Sequence, residues 1–280
     1  MAERRLPVPA SVDASVPVWS RDGGYLLLNL FILPDGPGRP GIIGADGTGF
    51  RIVEPKGLVG DLSCSDWSLD GGTLLCSVGS GDHPEVDGIY TIRSDGSHLT
   101  RLTRSPFHDT LGSAGECGGG DSRAKFSPDG THIALIGQKC GSGPDPSSDE
   151  SAAIELMNSD GSGLHEIVPQ GAVRSHPGSA ISWSADGRQL TFGSQNGELL
   201  LVHPDGTALG QIPLPVELGQ HAAYGPAWSP DGSRIVFSMY LAAADSTELY
   251  VVSPDGSDLT KLTEGPGVEG YPSWGPVTNP

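Results

Sequence analysis

Two histidines stand at the same offset from two copies of one motif. His176 precedes Trp183 by seven residues, and His221 precedes Trp228 by seven. Imidazole titrates near neutral pH and ligates divalent metals through a ring nitrogen. His108 and Asp109 fall in the matching stretch one copy earlier, and Glu269 and Tyr271 in the stretch one copy later. Gathered at one opening, these groups form a candidate site for a divalent cation or an anionic ligand, with His176 and His221 as its metal ligands. The competing reading is a set of solvated loop side chains that never converge. Asp82, His83, Glu85 and Asp87 make a second acidic stretch. It lacks the spacing of a calcium-binding loop and reads as solvated. Apart from the possible divalent cation, no cofactor is expected.

The most repeated carboxylates belong to a different chemistry. Asp22, Asp70, Asp129, Asp186 and Asp231 each precede a glycine and follow an aromatic-Ser-x sequence, as in Trp228-Ser-Pro-Asp-Gly. An Asp side chain there caps nearby backbone N–H groups, and the glycine accepts φ > 0. These are turn residues and not catalytic acids. A second Asp-Gly follows in each copy, at Asp46, Asp95, Asp160, Asp205 and Asp255. Short apolar runs flank both marks, such as Ile235-Val-Phe237 and Leu249-Tyr-Val-Val252.

The elements that position these residues are therefore four short strands per copy, A to D, with Asp-Gly turns at A–B and C–D. Four antiparallel strands per repeat is the blade of a β-propeller. The paired marks resemble the TolB-type propeller repeat over residues 16 to 276, and five copies carry both in register. The resemblance implies an all-β fold of six blades, the last closed by a C-terminal strand A. Trp274-Gly-Pro276 matches that strand. The expected blades are 16–55, 62–103, 122–169, 179–214 and 224–263, with a partial sixth at 270–276. All lie in a single domain, 16–280. Residues 1–15 form a separate N-terminal segment that offers at most one strand of the closing blade. Five blades remain the alternative.

Strand direction sorts the connections. The Asp-Gly turns share one face, and the B–C and D–A loops share the other. The loops around Arg104–Arg123 and Gln138–Ala152 are long. Irregular loops on a rigid frame suit a binding surface, and tolerated insertion is the competing reading.

Four cysteines fall into two hairpins. Counting from the Trp67–Thr73 turn places Cys64 opposite Cys76, and counting from Phe126–His132 places Cys117 near Cys140. Both pairs are disulfide candidates, and Cys64 with Cys76 equally fits two small buried side chains. Disulfides and the TolB resemblance point to a periplasmic or secreted protein whose leader precedes this chain. The N-terminus has no apolar signal core, which points to the cytoplasm.

The chain has 280 residues and a net charge of −18. That charge disfavours nucleic acid and anionic membranes and favours a basic partner. No apolar run reaches the roughly 20 residues of a membrane span. No G-x-S-x-G, P-loop or H-E-x-x-H motif is present. The leading reading is a non-catalytic scaffold that binds a protein or peptide. A propeller lyase or hydrolase using a metal held by the histidines is the alternative. A regulatory propeller cut from a larger protein is a third.

Overall fold

The computed structural model describes residues 6–33, 36–80, 83–104, 121–139, 151–173, 180–194, 196–207, 210–215, 221–242, 245–264 and 270–276. Among the described residues, twenty strands form five four-stranded antiparallel sheets, each in sequential order. Blade 1 holds β1 (Val12–Trp19), β2 (Tyr25–Ile32), β3 (Gly38–Gly44) and β4 (Arg51–Ile52). Blade 2 holds β5 (Asp61–Trp67), β6 (Thr73–Gly79), β7 (Gly88–Arg93) and β8 (Thr100–Arg101). Blade 3 holds β9 (Asp121–Phe126), β10 (His132–Lys139), β11 (Ser151–Asn158) and β12 (His165–Val173). Blade 4 holds β13 (Ile181–Trp183), β14 (Leu190–Gly193), β15 (Leu199–Val202) and β16 (Gly210–Gln211). Blade 5 holds β17 (His221–Trp228), β18 (Ile235–Leu241), β19 (Ser246–Val252) and β20 (Thr260–Lys261). No helix among the described residues is long and apolar enough to cross a membrane.

Every A–B turn is closed the same way. In blade 5, Asp231 Oδ1 accepts from the Ser229 hydroxyl at 2.6 Å and from the Ser233 N–H at 3.0 Å. Ser229 Oγ in turn accepts the Arg234 N–H at 2.9 Å. Asp22, Asp70, Asp129 and Asp186 repeat the arrangement. The C–D aspartates accept from the backbone and hydroxyl of a Ser or Thr two residues on. These bonds stabilise the ionised carboxylates, holding Asp129 and Asp231 at about 2 against an ordinary 3.8. The aspartates are caps.

The core lies between blades. Leu27, Ile42 and Val53 of blade 1 pack on Leu62, Trp67 and Leu74 of blade 2. Leu75 and Ile89 meet Phe126, Ile133 and Leu135 of blade 3. Ile136 and Ile154 meet Trp183 and Phe192 of blade 4, and Leu199 and Ile212 meet Phe237 and Met239 of blade 5. Each side chain buried in this way contributes about 1.5–3 kcal/mol. On the other face of blade 1, Leu6 and Val8 pack against Leu26, Leu28, Leu30 and Ile43.

Two sequence-based expectations change. First, residues 12–15 belong to strand A of blade 1, where Val12 pairs with Ile32 and Ser15 with Asn29. Second, the described residues hold five complete blades and not six. Residues 270–276 form no strand. Pro272 and Pro276 lack the N–H that a ladder needs. The segment nevertheless occupies a strand-A position between blades 5 and 1. Trp274 Nε1 donates to Ala227 O at 2.9 Å, as Trp67 Nε1 does to Val18 O and Trp183 Nε1 to Lys125 O. On its other side the Trp19 N–H reaches Ser273 Oγ at 3.5 Å, the counterpart of Trp228 N–H to Ser182 Oγ at 3.0 Å.

Candidate functional site

Six strand-A segments surround a central channel of about 330 Å³. What enters it is set by a bulge. Register slips between Ser15 and Val18, between Cys64 and Asp66, opposite Ala134–Ile136, and between Tyr224 and Ala227. Three residues before the strand-A aromatic, the backbone turns left-handed: Val16 (φ 53), Arg123 (φ 51), Gly225 (φ 61) and Tyr271 (φ 58). Such a φ is unfavourable for a β-branched or bulky residue. A bulge of this kind re-aims side chains. Here the strained residues all line the channel.

The channel is basic although the protein is acidic. Its described lining carries Arg21, Arg123 and Lys125 against one carboxylate, Asp66. The Arg123 guanidinium carbon lies 5.4 Å from the centroid of the Tyr271 ring, a cation–π contact across two strand-A segments. Lys125 Nζ donates to Ser65 O. Asp66 Oδ2 accepts the Phe126 N–H at 2.9 Å. Burial pushes the Lys125 ammonium down from its usual range, Asp66 draws it back up, and Arg21 and Arg123 push it down again. Burial acts on Arg123 in the same downward sense. Among the described residues, the channel lining therefore carries more cations than carboxylates.

Of the ligand candidates read from sequence, only Tyr271 is placed with its side chain, and it is a channel residue. His108, Asp109, His176 and Glu269 lie outside the described residues. The His221 backbone opens β17 opposite Leu241, and its side chain lies outside what is described. Among the described residues, no three metal-ligating side chains come together. In the second acidic stretch, His83 Nδ1 meets Glu85 Oε1 at 3.2 Å, and Asp87 accepts the Ser80 N–H.

Cys64 and Cys76 form a disulfide between buried, directly opposed residues. Trp67 pairs with Leu74 and not Thr73, one residue off the sequence count. The bulge between Cys64 and Asp66 cancels that offset and brings Cys64 opposite Cys76. Cys117 and Cys140 lie outside the described residues. Sequence reasoning missed Arg123 and Lys125, because strand alternation alone does not locate a bulge. Pro17, Pro226 and Pro272, each two residues before a tryptophan, were the available signal.

No protein-family profile matches the chain, and no curated protein matches it. Solved structures do. The putative TolB of Agrobacterium tumefaciens superposes with a TM-score of 0.68 at 21% identity, covering 90% of this chain and 81% of that one. The chain folds as a TolB-type β-propeller. TolB of Acinetobacter baumannii gives 0.64 at 17% identity, covering 95% of this chain, which spans 58% of that protein's length. An oligogalacturonate lyase in complex with manganese gives 0.58 at 13% identity, covering 91% of this chain and 67% of that one. The TolB-type propeller seen here thus shares its frame with both TolB proteins and an enzyme.

Proposed function

We propose that this TolB-like propeller is a non-catalytic scaffold that binds a protein or peptide partner on the face of its B–C and D–A loops. The observation that carries this reading is the contrast between faces. A–B turns are five or six residues long, and their aspartates are occupied as caps. Connections on the other face range from four residues between β18 and β19 to 19 between β8 and β9. A net charge of −18 favours a basic partner on this outer surface. The Cys64–Cys76 disulfide supports an oxidising compartment such as the periplasm.

The test is capture of a partner from cell extract, followed by binding to a variant whose β8–β9 and β10–β11 connections are shortened. Binding should be lost in the variant and weaken with salt, since exposed charges are screened beyond about 8 Å at physiological ionic strength. Undiminished binding by the shortened variant overturns the reading. A metal-dependent lyase is the second reading, favoured by the fold shared with the manganese-bound lyase. Manganese binding abolished by His176→Ala and His221→Ala supports it, and a chain that takes up no manganese removes it.

A further inference from the structure

We infer that the central channel binds a small organic carboxylate with an apolar body, its carboxylate held by Lys125 and Arg123. Three observations converge. The chain is strongly acidic overall, yet three of the four charged side chains described in its channel are cations. Random placement of 16 basic and 34 acidic residues gives the opposite balance. Second, Arg123 and Tyr271 hold a strained left-handed backbone at the same repeat position, bringing guanidinium and ring together in the channel. Third, Lys125 follows Arg123 by two residues on β9 and also lines the channel. Among the described residues its Nζ donates to Ser65 O, and an ammonium carries three N–H donors.

The remaining lining sets the ligand's body. Pro17, Pro226 and Pro272 supply apolar wall from three strand-A segments. A volume of about 330 Å³ lies at the small end of ligand pockets, which run from about 300 to 1,000 Å³. A compact acid with one aromatic or alkyl group fits both the volume and the polarity. Arg21, on the exposed turn beside Ser20, places a third cation at the mouth on the Asp-Gly face.

The test is calorimetric titration of the full chain with 3-phenylpropionate and with its neutral amide. The acid should bind at least about tenfold more tightly than the amide, as expected for hydrogen bonds to a charged group. Lys125→Gln and Arg123→Gln should each remove that preference. Arg188→Gln, on an exposed turn with its side chain 85% accessible, should leave it intact. If either channel variant fails to fold, Arg21→Gln at the mouth serves in its place and should reduce the preference. A short peptide ending in phenylalanine, as free acid and as amide, separates sources. Tighter binding of the peptide acid assigns a chain terminus, and tighter binding of 3-phenylpropionate assigns a free acid. Equal binding of acid and amide, or an undiminished preference in the variants, overturns the proposal. So does failure of the acid to bind at millimolar concentration. None of these outcomes depends on the loop-face partner, whose binding is read separately.

Discussion

At the residue scale, the turn aspartates tie stability to acid. Their folded values are depressed, Asp129 and Asp231 to about 2 from 3.8, through hydrogen bonds first from Ser127 and Ser229. A group depressed on folding stabilises the protein above its unfolded value, and that stability is lost as pH falls through the folded value. The melting temperature should therefore hold steady down to about pH 4 and fall between about pH 4 and about pH 2. Asp129→Asn with Asp231→Asn keeps an acceptor at each turn and removes the titration, so the acid slope should become shallower. An unchanged slope in that variant, read by calorimetry across pH, contradicts the assignment. The disulfide is the second residue-scale device. It closes a separation of 12 residues, for which removal costs about 2–4 kcal/mol. Cys64→Ala with Cys76→Ala should lower the urea midpoint accordingly, and reductant should have no further effect on that variant.

At the element scale, blades are spaced by glycine. In blades 2 to 5 the second Asp-Gly brings its glycine, Gly96, Gly161, Gly206 or Gly256, against backbone of the preceding blade. A Cβ on Gly96 (φ +86) would lie 2.7 Å from Glu54 O, and one on Gly206 (φ +79) 2.9 Å from Ile167 O. Gly71 (φ +67) has the same handedness with nothing within 4 Å. Gly71→Ala should therefore cost about 1–2 kcal/mol, the left-handed penalty alone. Gly96→Ala and Gly206→Ala should each cost more, because the clash is with backbone that belongs to another blade. Equal losses at the three sites, measured by denaturant unfolding, would show that the inter-blade contact carries no weight.

At the scale of the whole molecule, the ring depends on one short segment. Trp274 bonds to blade 5 through Ala227 O, and its neighbours meet blade 1 at Trp19 and Gly23. Trp274→Ala should cost about 2–4 kcal/mol, somewhat below a fully buried tryptophan. It should also raise proteolysis of both blade 1 and blade 5. Loss confined to blade 5 would mean that the segment is not a bridge.

The sequence by itself determined the four-stranded blade, while the number of blades was decided by the tertiary structure. Asp-Gly turns flanked by short apolar runs favour hairpins, and five copies in register favour a closed array of blades. The caps and the Cys64–Cys76 pair were legible for the same reason, since turn and cross-strand partners are near in sequence. The channel was not legible. Arg123 and Lys125 belong to blade 3, Asp66 to blade 2 and Tyr271 to the terminal segment, and only closure of the ring brings them together. Their direction also depends on a one-residue slip that reverses strand alternation. Tyr271 illustrates both halves: its place in the repeat could be counted from Trp274, whereas its partner, Arg123, could be known only from the closed ring.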